Sequence, residues 1–405
     1  MRKHAISCIL CLAITLLSAT ELIAFTYEVH PGIYTSYEYS DNYYGVSRDE
    51  EGESTFLVGP SLSLRCLSSS ATVDFTGRYT KSFHLEFPED DSPDISLISS
   101  AIFTAPRQET RLSYEFVRTL TRESLTDPFG EVYRHTGSIG YSLEITRDTR
   151  MSAQGSILTE NWSEDAAEED LVDTGGSISL IHQLNPLNTI TITGSRNYHF
   201  YEISQDAVET LGELDFSHVF SPVVNFGFGT SYNHAENGDD PNEDRYSATA
   251  TLGYVINQST TMSATGGYNW FVMEHDDVQG ENVARLSLDK SLESNRFHFS
   301  IAKEYTSDYT SNRYGTYDTR SAELSWIRQW LQDWSSTVGF NIYKRRPVSQ
   351  TIGEFEIDST AHASVTWTPV EYFTGNVIYE HLQTDYESSD TVRENRYRLV
   401  MEARY

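Results

Sequence analysis

Charged side chains recur at alternate positions in many stretches of this chain, and their spacing is the pattern that could do chemistry. Asp74, Glu115, Glu144, Glu213, Asp215, Asp289, Glu304, Glu323, Glu380 and Glu402 fall on the polar register of alternating segments. Arg78, Arg111, Arg285, Arg396, Arg398 and Arg404 fall on the same register. Alternate residues of a strand share a face, so these side chains would line one side of a sheet. Acids outnumber bases among them, and an acidic pore lining attracts cations. Asp74 with Arg78, and Arg111 with Glu115, are expected to pair along their strands. A mutually neutralised wall with no filter is the competing outcome.

Catalytic arrangements are absent from the sequence. No Gly-x-Ser-x-Gly, His-Glu-x-x-His or glycine-rich phosphate loop occurs. His182, His218 and His298 stand alone in strand-like stretches and read as structural or lining residues. Asp206 with Glu209, taken as an outer loop, and Asp276 with Asp277 could activate water, but nothing nearby completes a site. No enzyme is expected. Acidic runs at 48–53, 89–94, 164–170, 236–244 and 274–277 read as solvated connections. The run from Glu236 to Asp244 has calcium-type oxygens but not the spacing of a twelve-residue EF-hand loop. Neither a metal nor a cofactor is expected.

The elements that must position the charges are β-strands. Met262, Ala264, Gly266, Tyr268, Trp270 and Val272 alternate with small polar residues, as do Val224, Phe226, Phe228, Thr230 and Tyr232. Gly137, Ile139, Tyr141, Leu143 and Ile145 repeat the pattern. Turn signals fall at Ser68-Ser69-Ser70, Ala105-Pro106-Arg107, Arg147-Asp148, Asn185-Pro186, Ser221-Pro222, Asn257-Gln258, Ser294-Asn295, Gln332-Asp333 and Thr368-Pro369. They recur about every 37 residues, the length of a hairpin of two membrane strands (about 9–11 residues each) with one short and one long connection. The expected fold is all-β: a transmembrane antiparallel up-and-down β-barrel of about 20 strands, within a range of 18 to 22. Tyr39, Tyr79, Trp162, Tyr232, Trp270, Trp326, Trp334 and Trp367 lie toward strand ends, where interfacial girdles would sit. A soluble sandwich or propeller also alternates, but with shorter strands and more even loops.

Both ends of the chain agree with export to a membrane. Arg2, Lys3 and His4 precede an apolar run from Ala5 to Leu17 and small residues up to Ala24, the pattern of a secretory signal peptide. Residues 1–24 are assigned to the signal, with cleavage after Ala24, and residues 25–405 to the barrel. Cys8 and Cys11 leave with the signal, so Cys66 remains without a disulfide partner. At the other end Tyr397, Leu399, Met401, Ala403 and Tyr405 alternate with Arg398, Val400, Glu402 and Arg404. A greasy face, a charged face and a terminal aromatic fit the closing strand of an outer-membrane barrel and its assembly signal. The first strand is expected to begin by Ile33, which leaves too little chain after Ala24 for an N-terminal plug.

Composition is consistent with this. The chain carries 59 acids against 29 Lys and Arg, a net charge of -30, and is 38% hydrophobic. That charge makes nucleic acid a poor partner and cations good ones. A barrel tolerates the low hydrophobic content because only alternate strand residues must face lipid.

The tyrosine-rich start Tyr37-Glu-Tyr-Ser-Asp-Asn-Tyr-Tyr44, set close behind the signal peptide, resembles the second-type family of β-barrel porins. It is similar also to outer-membrane barrels found with exopolysaccharide gene clusters. The resemblance implies a Gram-negative outer membrane and polysaccharide-export proteins as partners, and it supplies no catalytic residues. The leading expectation is a porin-like channel for passive or gated passage of small hydrophilic solutes, mildly cation-preferring. Outer-membrane lipid, lipopolysaccharide and the barrel-assembly machinery are its expected partners. Exopolysaccharide export and a surface-display barrel are the alternatives.

Overall fold

The computed structural model describes residues 26–405 except 48–49, 122–128, 164–168, 204–205, 237, 239–241, 274–278, 311–312, 349–355 and 387–390. The signal peptide and its cleavage point lie outside the described residues.

Twenty strands follow one another along the chain. They are β1 (Thr26–Ser40), β2 (Glu53–Leu67), β3 (Ala71–His84), β4 (Pro93–Ala105), β5 (Gln108–Thr121), β6 (Gly130–Thr146), β7 (Thr149–Trp162), β8 (Leu171–Asn185), β9 (Asn188–Tyr201) and β10 (Ala207–Ser221). The second half comprises β11 (Val224–Glu236), β12 (Glu243–Asn257), β13 (Thr260–Met273), β14 (Gln279–Leu292), β15 (Asn295–Thr310), β16 (Arg313–Leu331), β17 (Trp334–Pro347), β18 (Glu356–Val370), β19 (Phe373–Tyr386) and β20 (Val392–Arg404). Each pairs antiparallel with its neighbour in sequence, and β1 pairs with β20 from Gly32–Arg404 to Ser40–Arg396. The sheet is therefore a closed barrel, with no free edge.

Local chemistry explains the regular beat. Ser, Thr and Asn oxygens close the short turns by accepting nearby backbone N–H groups. Ala71 N donates to Ser68 Oγ at 2.9 Å, Leu187 N to Asn185 Oδ1 at 2.9 Å, Val224 N to Ser221 Oγ at 3.1 Å and Ser259 N to Asn257 Oδ1 at 2.9 Å. Between these turns most of the large exposed apolar side chains keep to one register, such as Tyr27, Val29, Ile33, Tyr37 and Tyr39 on β1, while Ile98 and Ile102 stand on the other, opposite Glu115 and Arg111. Cross-strand register carries that face around the ring, and it is the one able to meet lipid. Trp334–Trp367 (5.7 Å) and Phe297–Trp326 (5.9 Å) mark one girdle, Tyr232–Tyr246 (5.0 Å) and Tyr268–Trp270 (4.9 Å) the other.

The structure corrects several details. The strands run from 13 residues in β4 to 19 in β16, longer than expected, because the Thr- and Tyr-rich alternation continues past the apolar band. β1 begins at Thr26 and so has started by Ile33 as expected, its lower half pairing with β2 from Thr26–Leu67. The last short turn falls at Glu371-Tyr372, and Thr368-Pro369 belongs to the end of β18. Trp162 shares the inner face, because its partner Val132 stands in register with the lining residue Arg134.

The seam is fastened at both ends. Asn395 donates its N–H and Nδ2 to the Asp41 carboxylate at 2.7 and 2.6 Å, and Asp41 N returns a bond to Asn395 O at 3.1 Å. Asn42 Nδ2 donates to Arg393 O at 2.6 Å, and Ser40 Oγ donates to Glu394 at 2.6 Å. At the opposite end Tyr405 N donates to Pro31 O at 2.7 Å.

Candidate functional site: the inner wall and its two covers

Register places all the charged positions singled out in the sequence on the face opposite the apolar one. Their partners differ from the expected along-strand pairs. Asp74 accepts from Arg65 Nε at 2.7 Å across β2 and β3. Arg78 lies 3.6 Å from Glu402, with its guanidinium 3.9 Å over the Tyr34 ring. Arg111 donates to Glu109 at 2.6 Å rather than to Glu115. Positions four apart on a strand are separated by about 13 Å, beyond side-chain reach, whereas directly opposed residues stand about 5 Å apart.

Other pairs join neighbouring strands or residues two apart on one strand. Arg396 clamps Glu394 through Nε (2.7 Å) and Nη2 (2.9 Å), Arg398 donates to Glu38, and Arg404 donates to Glu402 at 3.0 Å. Arg285 lies 3.4 Å from Glu304, Asp289 is 2.7 Å from His298, and Glu144 is 4.0 Å from Arg150. Glu380 stands directly opposite Arg396. Four acids of this set have only neutral residues across from them and no ion pair among the described residues. Glu115 faces Ile98 and Thr136, and Glu213 faces Thr193 and Ser231. Asp215 faces Thr191 and Gly229, and Glu323 faces Ser300 and Asn341.

Sequence reading missed a second set of lining charges. Arg134 with Glu160 (2.5 Å), Asp173 with His199 (2.7 Å) and Arg345 with Asp358 (3.5 Å) share the inner face, as do Glu209 and Arg245. Extending the alternation toward the outer end of each strand would have found them.

The wall is open at one end and covered at the other. Near the short turns, lining residues such as Arg65, Arg111, Glu144, Asp289 and Arg404 are exposed. Toward the long connections the same face is buried at Ser40, Glu53, His84, Glu160, Asn233, Glu243, Asn269 and Glu394. Two structures cover it there.

The first cover is built from residues 41–47, 50–52 and 85–92 and from Phe129. Tyr43, 8% exposed, stacks on Phe129 at 4.4 Å and Phe87 at 5.7 Å, with Tyr44 edge-on at 5.2 Å. Burial, with Asp90 at its hydroxyl, pushes the Tyr43 phenol above the usual tyrosine range. Beneath the rings the Glu53 carboxylate, 1% exposed, accepts the N–H groups of Leu85, Glu86 and Phe87 at 2.8, 3.2 and 3.1 Å. Asn42 ties the first connection to itself through Val46, and Gly45 makes the turn with φ 62°.

The second cover lies across the ring and is made of strand. Pairing between β14 and β15 stops at Ala284–Lys303, while β15 and β16 stay paired to Thr310–Arg313. The freed hairpin turns inward. Tyr305 meets the inward ring of Phe271 on β13 at 4.5 Å, and Glu281 on β14 accepts from Lys303 and from the Tyr305 hydroxyl. Thr316 hydrogen-bonds Glu243 on β12. Lys303, Tyr305, Asp318 and Arg320 continue the register that faces lipid lower down at Phe299, Ile301, Ala322 and Leu324. Charges in that register could not remain against lipid, and the inward turn places them on the polar wall.

The remaining candidates do not assemble into a reactive site. Asp206 accepts Tyr201 N at 3.2 Å, while Glu209 belongs to β10 and accepts from Asn233 at 2.6 Å. The earlier placement of Glu209 in a loop is thus corrected. Asp276 and Asp277 lie outside the described residues. His182 contacts Thr149 Oγ1 at 2.9 Å and His218 contacts Asn188 Oδ1 at 2.7 Å, both on the outer face. Among the described residues no group of three or more His, Cys, Asp or Glu converges as a metal site, and no helix is long and apolar enough to cross a membrane. Tyr397, Leu399, Met401 and Ala403 lie on the outer face of β20, opposite Tyr39, Tyr37, Thr35 and Ile33.

A closed antiparallel wall of twenty strands is the fold of a transmembrane β-barrel, and solved outer-membrane structures share it. The FrpB iron transporter of Neisseria meningitidis superposes with a TM-score of 0.60 at 7% identity, over 96% of this chain and 83% of FrpB. The siderophore receptor PirA of Pseudomonas aeruginosa gives 0.55 at 12% identity, over 95% of this chain and 82% of PirA. A mutant of the ferric enterobactin receptor PfeA from the same organism gives 0.54 at 8% identity, over 93% and 80%. These likenesses are of fold. No family profile matches the sequence, and no curated protein is recognisably related to it.

Proposed function

We propose that this protein is an outer-membrane channel that passes small hydrophilic solutes and mildly prefers cations. The observation that carries the reading is the set Glu115, Glu213, Asp215 and Glu323, acids on the inner wall with only neutral residues directly opposite. Several other acids of the wall are matched by a base, as Glu160 is by Arg134, Asp173 by His199 and Glu380 by Arg396. The surplus acids give the lumen a negative field that raises the local concentration of cations. A closed ring of about twenty strands is wide enough to hold water.

The test is conductance of the refolded protein in a planar bilayer under a salt gradient. The expected result is stepwise conductance with a reversal potential favouring cations, diminished when Glu115, Glu213, Asp215 and Glu323 are changed to their amides. An unchanged reversal potential in that variant would remove the selectivity. Silence from a folded barrel would remove the channel, and would bring forward exopolysaccharide export with periplasmic partners, or surface display of acidic connections.

Assembly supplies a second test. Tyr397, Leu399, Met401, Ala403 and Tyr405 present the alternating aromatic end that the barrel-assembly machinery would recognise. Tyr405→Ser is expected to lower the outer-membrane amount and the heat-modifiable gel band. Wild-type levels of that variant would refute this role.

A further inference from the structure

We propose that the outer face of β17–β20, beside the seam with β1, is a seat for a phosphorylated glycolipid of the outer leaflet. The proposal rests on the barrel fold and not on the channel reading. Its first support is the order of chemistry along two paired strands. On β20, Met401 and Leu399 give way upward to Tyr397, Asn395 and Arg393; on β19, Val377 gives way to Tyr379, His381 and Gln383. Both series lie on the lipid-facing register and run from the short turns toward the outer end. Aliphatic, then aromatic, then amide, imidazole and guanidinium is the order in which a lipid presents tails, sugar and phosphate.

The middle of the seat is tied together. Tyr39, Tyr397 and Tyr379 form a ladder across β1, β20 and β19, with ring centroids 6.3 and 5.0 Å apart. Above the rings Asn395 Nδ2 donates to Asp41 at 2.6 Å, which fixes the amide, and Asn395 Oδ1 accepts from the Tyr379 hydroxyl at 2.8 Å. The same Oδ1 stands 2.9 Å from His381 Nδ1, which therefore donates to it and leaves Nε2 for an outside partner. Tyrosine faces suit the C–H face of a sugar, and fixed amide and imidazole groups suit its hydroxyls. Three strands make the ladder about 10 Å wide, enough for a sugar ring and more than a bare phosphate uses.

Charge selects the phosphate. The chain carries a net charge of -30, yet the described outward positions at the outer end of β17–β20 hold Lys344, Arg346, His381 and Arg393 against one acid, Asp385. Asp385 accepts from Gln383 at 2.7 Å, and Asp41, just past β1, is taken by Asn395. Arg393 is exposed, and its guanidinium has no acid partner among the described residues. Charged side chains at membrane-facing positions are rare and mark a partner, and guanidinium meets phosphate through two parallel hydrogen bonds. A glycolipid held here would lie across β19, β20 and β1, and so over the seam from outside.

The experiment titrates the full barrel, refolded in detergent, with diphosphorylated lipid A and reads the lipid-bound fraction by native mass spectrometry. Dephosphorylated lipid A and phosphatidylglycerol are titrated in parallel. Only the carbonyl of Arg393 serves the seam, through Asn42, so truncating its side chain leaves that bond in place. Heat-modifiable mobility checks that each variant is folded. Arg393→Ala and His381→Ala are expected to lower retention of lipid A several-fold, and dephosphorylated lipid A to be retained several-fold less than the phosphorylated form. Arg196→Ala, which removes an arginine stacked on Tyr198 of β9, is expected to leave retention unchanged. No retention by the wild type, equal retention in every variant, or indifference to phosphate overturns the seat and leaves an unspecific lipid shell. Phosphatidylglycerol held as well as lipid A, and lost with Arg393→Ala, overturns the glycolipid in favour of a phosphate site blind to sugar. Conductance plays no part in this readout, so its failure leaves the channel reading standing.

Discussion

The two covers of the outer mouth solve the same geometric problem with opposite chemistry. Over β1–β6, aromatic rings stack on one another, and a buried carboxylate caps three consecutive backbone N–H groups. Over β12–β14, a detached hairpin is held by an ion pair, two hydrogen bonds to carboxylates and a single ring contact. Apolar burial and buried backbone caps are costly to undo, whereas partly exposed ion pairs contribute little. One side of the mouth is thereby held more firmly than the other.

The largest test of that contrast is Glu53→Ala, which leaves three buried N–H groups without an acceptor at a cost of on the order of 3 kcal/mol or more. The connections 41–52 and 85–92 should become sensitive to protease added outside intact cells. Continued resistance would mean that Glu53 does not hold the first cover. Tyr43→Ala should follow, losing the ring stacked on Phe87 and Phe129 at about 3 kcal/mol. The amides of Leu85, Glu86 and Phe87 would exchange faster with deuterium, and unaltered exchange would show the rings to be incidental. The smallest effect is expected from Lys303→Ala, below about 1 kcal/mol because its partner Glu281 is half exposed. Thermal unfolding should stay near the wild-type midpoint. If Lys303→Ala instead unfolded the barrel, the contrast between a firmly and a lightly held cover would be lost.

Much of the architecture was legible in the sequence because a barrel repeats two simple signals. Alternation of Met262 to Val272 fixes a face, and Ser or Asn oxygens at Ser68, Asn185, Ser221 and Asn257 fix the turns. The charged face followed from the same period. Pairing did not, because partners across a sheet depend on register, which one strand's sequence does not state. Asp74 therefore meets Arg65 instead of Arg78. The infolded hairpin was hidden for a related reason, since alternation runs unbroken through its bend. Its signal was present as Lys303, Asp318 and Arg320 in a register that should have been apolar. The tyrosine-rich segment Tyr37 to Tyr44 was read only as a resemblance, yet Asp41 and Asn42 fasten the seam and Tyr43 and Tyr44 build the first cover.

The seam also sets the gauge of the tube. A barrel's radius follows from its strand number and from the stagger accumulated around the ring. That stagger is settled where the last strand meets the first. Sliding β20 by two residues would keep every side chain on its face and still change the stagger, and with it the bore. Asp41 and Asn395 at one end and Pro31 and Tyr405 at the other hold the two strands like pins through a ruler. Residues nearly as far apart in sequence as the barrel allows thus decide how large a molecule its wall can surround.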